Sequence, residues 1–330
     1  VDTLMDRLPP WLAPDWDVHA RRLAEGRVPH ALLAAGPAGL GKRALVEAVA
    51  ASLLCIDRRA DGHACGRCRA CAWRLAGTHP DLVRVGIAED ATQITVDQIR
   101  ALGERLALAP QPGGRQVAVI DPADEMNPNA ANALLKTLEE PTPDSVLILV
   151  ADQPARLLPT ILSRCQRFAI RMPGRDEALA WLIGRGVAPA RAAEALMLAR
   201  GNPGEAARRV EPEAVRLAED VRETFLDVVE GRRSAVEVAG DWARDRPGER
   251  LDWLAQATSL VAWPGGAEQP AGLERLAALI RGAESDTLAA WWDDLNRVRS
   301  LIRTPVRTDL LITANLAAAR RAFGRRAIGR

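Results

Sequence analysis

The sequence has almost no lysine: its 44 basic residues are 42 arginines plus Lys42 and Lys136. Arginine is used nearly everywhere a cation serves, so the two lysines that remain invite a specific role. An excess of charge is also lacking, since 44 basic against 43 acidic residues leave a net charge of +1. That balance excludes a general field for holding nucleic acid, and any such contact must be local or shared with partners. No apolar run approaches the roughly 18 residues that a membrane span requires. The first residues, VDTLMDRLPPWLAPDWD, are acidic and rich in proline, where a signal peptide needs a basic start and an apolar stretch. A cytoplasmic protein without membrane association is expected. Cysteine is scarce too: there are five, of which Cys55, Cys65, Cys68 and Cys71 fall within 17 residues while Cys165 stands alone. In a cytosolic protein such a cluster points to metal before disulfide.

What is present is ordinary folded-protein material, 48% hydrophobic and 26% charged residues, unlike a disordered chain. At about 150 residues per domain, 330 residues predict two or three domains. The first half alternates short apolar runs with helical patterns, the signature of a parallel sheet flanked by helices. Strands are predicted at 31–35, 82–87, 116–121 and 145–151. Helices are predicted at 97–108, with Ile99, Leu102 and Leu106 on one face, and at 127–140, where Asn127 caps, Pro128 opens and Pro141 closes. Beyond about Arg171 the strand pattern stops. Residues 174–209 read as two or three short helices broken by Gly184, Gly186 and the turn from Gly201 to Gly204. From Glu211 onward the chain reads as roughly five amphipathic helices, separated by Gly231, Pro247, Pro264-Gly265-Gly266, Gly282 and Pro305. No fixed-period repeat indicates a solenoid. The expected architecture is an α/β domain, a small helical domain and a larger all-helical domain.

Gly36-Pro37-Ala38-Gly39-Leu40-Gly41-Lys42 follows a predicted strand and opens a helix, the context of a phosphate-binding loop. Gly36, Gly39 and Gly41 would let backbone N–H groups face phosphate oxygens, and Lys42 would reach the outer phosphates. The next residue should be Ser or Thr to ligate Mg²⁺, but it is Arg43, which cannot. A plain glycine-rich turn without ligand is the competing interpretation. The strand Val117-Ala118-Val119-Ile120 ends in Asp121, which resembles the second half of such a site, where Asp holds Mg²⁺ through its water shell. A glutamate that would activate water is missing after it, Pro122 standing there, with Asp124 and Glu125 displaced along the chain. The four clustered thiolates suit a tetrahedral structural Zn²⁺ with no open position, with His63 as an alternative to one of them.

Together these segments resemble the delta-prime subunits of the bacterial DNA polymerase III clamp loader, AAA+ relatives of its gamma and tau ATPase subunits. The likeness runs from about His30 to Phe168. It includes HALLAAGPAGLGK at 30–42, the cysteine loop, Thr78-His79-Pro80-Asp81-Leu82, the 94–108 helix, NAANALLKTLEEP at 129–141 and LLPTILSRCQ at 157–166. The last two are highly specific, and Lys136 lies in the first of them. The resemblance implies an α/β AAA+ domain, a P-loop NTPase-like parallel sheet, over residues 1–170 with a zinc module at 55–71. It further implies a small helical lid at 171–209 and an all-α collar, the oligomerisation domain, at 210–330. The collar implies a hetero-pentamer with gamma/tau and delta subunits, which loads a sliding clamp onto primed DNA. Trp253, Trp291 and Trp292 would then be either core or inter-subunit surface. Ser163-Arg164-Cys165 matches the family's arginine finger, so Arg164 would act in trans on ATP held by a neighbouring gamma or tau subunit. Arg43, Pro122 and Gly204, which stands where gamma-type lids carry a sensing arginine, together imply a subunit that does not hydrolyse ATP. Binding of ATP or ADP at Gly36, Gly39, Gly41, Lys42 and Asp121 stays open.

Two other functions compete. One is a gamma-like subunit that binds and hydrolyses ATP itself, with Asp124 or Glu125 as displaced base. The other is a zinc-ribbon nucleic-acid binder with a vestigial nucleotide fold, which would use the basic C-terminal Arg303, Arg307, Arg320, Arg321, Arg325, Arg326 and Arg330. A solvated helix face accounts for those arginines as well.

Overall fold

A computed structural model describes residues 8–111, 114–263, 272–302, 304 and 306–324. Two compact units divide the chain between Glu177 and Ala178.

The first unit holds a parallel sheet of five strands: β1 (Ala31–Ala35), β2 (Leu82–Val85), β3 (Gln116–Ile120), β4 (Ser145–Ala151) and β5 (Gln166–Arg167), in the order β2-β3-β4-β1-β5. Leu33 lies opposite Leu149 across β1 and β4, and Val117 opposite Val146 across β3 and β4. Every residue of β3 and β4 is buried, as expected of parallel strands covered on both faces, and this is why both appear in the sequence as unbroken apolar runs. The second strand stops at Val85, two residues before the predicted end. Val85 O accepts the last rung from Asp121 N at 3.0 Å, after which Gly86 O turns to the side chain of Gln98 at 2.8 Å.

Among the described residues of this unit the α-helices are α1 (Ala13–Ala24), α2 (Lys42–Leu54), α3 (Arg69–Leu75), α4 (Val96–Leu106), α5 (Pro128–Glu139) and α6 (Pro159–Arg164). The predicted apolar stripe of α4, Ile99, Leu102 and Leu106, faces the core, and Gln98 Oε1 accepts from Thr95 N at 2.9 Å to close its N-terminus. Asn127 Oδ1 accepts from Ala130 N at 2.8 Å and Pro128 occupies the first helical position of α5, as the sequence predicts.

In the second unit, α7 (Arg175–Gly184, which begins in the first), α8 (Pro189–Leu198) and α9 (Pro203–Arg209) enclose a small cluster that includes Leu182, Ala192, Leu196 and Ala206. Six helices follow among the described residues, one more than the rough expectation of five: α10 (Pro212–Val229), α11 (Ala235–Arg244), α12 (Pro247–Ala262), α13 (Glu274–Arg281), α14 (Ser285–Leu301) and α15 (Thr308–Phe323). The predicted breaks at Pro264-Gly265-Gly266 and Pro305 lie outside the described residues, as do Arg303, Arg325, Arg326 and Arg330. Trp253 and Trp291 are buried in this unit's own core, while Trp292 is half-buried and meets the exposed Trp263 edge-on at 5.5 Å. No helix among the described residues is long and apolar enough to cross a membrane.

Trp242 is fully buried and donates its indole N–H to Thr224 Oγ1 at 3.1 Å. Trp242→Ala therefore removes a large core side chain, while Thr224 Oγ1 keeps its bond to Asp220 O at 2.6 Å, at an expected cost of about 3–5 kcal/mol. Guanidinium unfolding of the full chain, followed by far-ultraviolet circular dichroism, measures this. A loss below about 1 kcal/mol would mean that the helices repack around the gap.

Candidate functional site

Three strand ends converge. Gly36 follows β1, Asp121 follows β3 and Asp152 follows β4, and these strands are neighbours in the order β3-β4-β1. Carboxyl ends of adjacent parallel strands, where connections leave in different directions, are where α/β sheets form crevices for ligands.

The loop from Gly36 to Gly41 has the backbone that its glycines permit. Gly36 sits at φ 140° and Gly41 at φ 84°, immediately before α2. A Cβ at Gly41 would also lie 3.0 Å from Leu12 Cδ1 and 3.1 Å from Pro9 Cγ, so this position is closed to side chains by both conformation and space. Lys42 does not point outward. Its side chain is only 2% exposed and its ammonium donates to Gly36 O at 2.6 Å and Pro37 O at 2.7 Å, while pairing with Asp152 at 2.6 Å. Two of its N–H donors are thereby bound by loop carbonyls, and the ion pair with Asp152 balances its charge.

Arg43 fills the region in front of the two carboxylates. It donates from Nε and Nη2 to both oxygens of Asp121, at 2.7 and 2.8 Å, and Nη2 lies 3.4 Å from Asp152 Oδ2. The hydrogen bonds it donates to Asp121 push the Arg43 guanidinium higher still, against the opposing effect of partial burial. Two carboxylates and two cationic side chains thus balance within the chain. Asp152 was not singled out in the sequence, although its signal is the same as that of Asp121: a buried apolar strand ending in Asp.

The displaced acids have other partners. Asp124 is buried and Oδ2 accepts from Gln153 N at 2.7 Å, which ties the end of β3 to the end of β4. Glu125 takes a bidentate pair from Arg156 at 2.5 and 2.9 Å.

Cys55, Cys65, Cys68 and Cys71 come together with all sulfurs within 4.8 Å of one another. Cys55 Sγ and Cys68 Sγ are 3.8 Å apart, the edge of about 3.8 Å that a Zn–S tetrahedron with bonds near 2.3 Å requires. Backbone N–H groups of Cys65, Cys68 and Cys71 donate to Cys55, Cys65 and Cys68 sulfurs at 3.3, 3.3 and 3.5 Å. Burial raises the thiol of Cys71 to about 12, whereas at Cys68 burial is outweighed by N–H donors from Cys71 and Ile56, leaving about 6. The donor set and spacing fit a structural Zn²⁺. His63 is not part of the cluster; its ring stacks on Trp16 at 3.8 Å. Cys165 is buried elsewhere, and that burial raises it to about 11, the mark of an inert core thiol.

Arg164 is the last residue of α6. It donates from Nη1 to Thr160 O at 3.1 Å and from Nη2 to Glu139 Oε1 at 2.8 Å, with 37% of its side chain exposed. Lys136 lies on the exposed side of α5.

The sequence profile described as DNA polymerase III, delta subunit, matches residues 14–173. The chain is 45% identical over 224 residues to the DNA polymerase III subunit delta′ of Pseudomonas aeruginosa, covering 67% of this chain and 65% of that protein. With the subunit delta′ of Haemophilus influenzae the identity is 33% over 251 residues, 76% of each chain. Among solved structures, a DNA polymerase III gamma subunit-related protein of Thermotoga maritima aligns at 18% identity and a TM-score of 0.46, over 93% of this chain and 99% of that one.

Proposed function

Because the chain belongs to the DNA polymerase III delta-prime subunit family, we propose that it is a clamp-loader subunit that does not hydrolyse ATP and that serves the ATP site of a neighbour. In this role it assembles with gamma/tau and delta subunits in a hetero-pentamer through a collar formed by residues 210–330, with residues 171–209 as a small helical lid. The assembly places a sliding clamp on primed DNA. Zn²⁺ bound by Cys55, Cys65, Cys68 and Cys71 is structural, because four thiolates leave no position for a reacting ligand.

One observation carries the non-hydrolysing role: Arg43 bridges Asp121 and Asp152. Hydrolysis at such a loop needs a divalent cation beside the Asp that ends the strand. Here a guanidinium already supplies the positive charge, and Lys42 is turned onto its own loop and Asp152 rather than toward a phosphate. A cation entering this site would meet two occupied carboxylates and a fixed positive charge. The displaced acids are also engaged, Asp124 through Oδ2 with Gln153 N and Glu125 with Arg156. The gamma-like alternative would have to displace Arg43 from Asp121 and turn Asp124 or Glu125 toward the nucleotide. Silent nucleotide binding by the glycine loop remains compatible with the geometry once Lys42 swings away from Asp152.

Steady-state phosphate release by the isolated chain with Mg²⁺ and ATP tests this directly, and the expected rate is that of buffer. Turnover by the wild-type chain would end the proposal. Arg43→Thr supplies the missing hydroxyl and frees both carboxylates, so Mg²⁺-dependent nucleotide affinity should rise at least about tenfold, about 1.4 kcal/mol. Hydrolysis should stay absent in that variant because Pro122 is unchanged. An affinity that is unchanged with or without Mg²⁺ would show that Arg43 is not what keeps the cation out.

A further inference from the structure

Glu139 ends α5, and a carboxylate at a helix C-terminus opposes the dipole of its own helix. Helix stability therefore does not explain its position. What it does in the structure is accept Arg164 Nη2 at 2.8 Å, while Thr160 O accepts Nη1 at 3.1 Å. Two acceptors on two different helices fix the plane of one guanidinium. Two of its five N–H donors are used, and the others are available to an anion arriving from outside. Both partners are accessible, with 37% of the Arg164 side chain and 51% of the Glu139 side chain exposed.

We infer that Glu139 is a positioning residue for Arg164, holding the guanidinium aimed outward before a phosphoryl group reaches it. The inference rests on Arg164 acting in trans, as proposed above. A flexible arginine must lose its side-chain freedom on engaging a transition state; one already held from two sides loses less. Glu139 touches neither nucleotide nor water in this scheme and acts only through Arg164. Its effect belongs to the rate of the chemical step and not to ATP binding, because the nucleotide is held by the neighbouring subunit.

The test is the ATPase of the reconstituted complex. Glu139→Ala should lower kcat about three- to fivefold, the ceiling that an exposed ion pair supports, with KM for ATP unchanged. Glu139→Gln, which keeps an acceptor of the same reach, should restore most of the loss. In an Arg164→Ala background, Glu139→Ala should have no further effect. Three results would overturn the inference: an unchanged kcat in Glu139→Ala, a fall carried by KM, or an equal fall in the Arg164→Ala background. Failure of the underlying trans role is read separately, from Arg164→Ala alone leaving the rate intact. Assembly of each variant, measured by gel filtration with the partner subunits, separates loss of rate from loss of complex.

Discussion

Arg164→Ala is expected to lower ATP hydrolysis at the neighbouring site by about 10³-fold, the lower end of what an arginine supplied in trans contributes. The size follows from the chemistry. Charge spreads over the equatorial oxygens of the transferred phosphoryl group, and a planar guanidinium meets two of those oxygens at once. Alanine removes both the charge and the fork. Arg164→Lys keeps the charge as a compact ammonium and should recover only part of the rate. Only the site facing Arg164 is affected, so the measurement is sharpest in a complex whose other nucleotide sites are inactivated at their loop lysines. A fall of less than threefold there would remove Arg164 from the reaction. The substitution has little reason to disturb folding, since Arg164 is part exposed and its one described ion pair is with the exposed Glu139, and such pairs contribute about 1 kcal/mol or less.

The parts of this molecule that were legible in the sequence are those set by neighbours along the chain. Buried parallel strands carry apolar residues at every position, which makes β3 and β4 visible. Asn127 followed by Pro128 marks a helix start whatever that helix packs against. The glycine loop and the spacing of the four cysteines are local patterns as well. What stayed hidden depends on contacts between distant residues. Arg43 reaches Asp121 across 78 positions and Asp152 across 109, so the sequence shows a missing metal ligand but not the guanidinium that occupies its place. Nor does the sequence show Asp152, whose carboxylate pairs with the Lys42 ammonium while two loop carbonyls accept its hydrogen bonds. The two-residue strand β5 has exposed side chains and no apolar pattern, and only pairing with β1 defines it. Among the tryptophans, Trp291 and Trp292 are adjacent in sequence yet differ in burial, since one step along a helix turns a side chain by about 100°.

The cysteine geometry predicts that the protein carries one zinc per chain and that Cys68→Ser abolishes it. Cys68 is central to the cluster: its sulfur accepts from Cys71 N, caps α3 and lies 3.8 Å from Cys55. Helix α3 has only seven residues, too few to persist without tertiary anchors. The Arg74–Glu47 pair at 3.8 Å is such an anchor outside the metal site, and Arg69 over the ring of Trp73 at 4.6 Å adds a contact within α3 itself. Both are weak at partly exposed positions. Zinc held by four thiolates contributes far more, of the order of 10 kcal/mol in small domains that fold around it. Metal loss should therefore lower amide protection across 55–76 by at least about 10²-fold. The sheet should keep its protection, because β1, β3 and β4 draw on a separate apolar core. Metal analysis of protein purified without chelator, and hydrogen exchange of wild type beside Cys68→Ser, give the answer. Less than about 0.2 zinc per chain, or equal exchange in the two proteins, would make the cluster a set of packed thiols. A selective loss around α3 would establish that the metal orders this segment while the sheet stands without it.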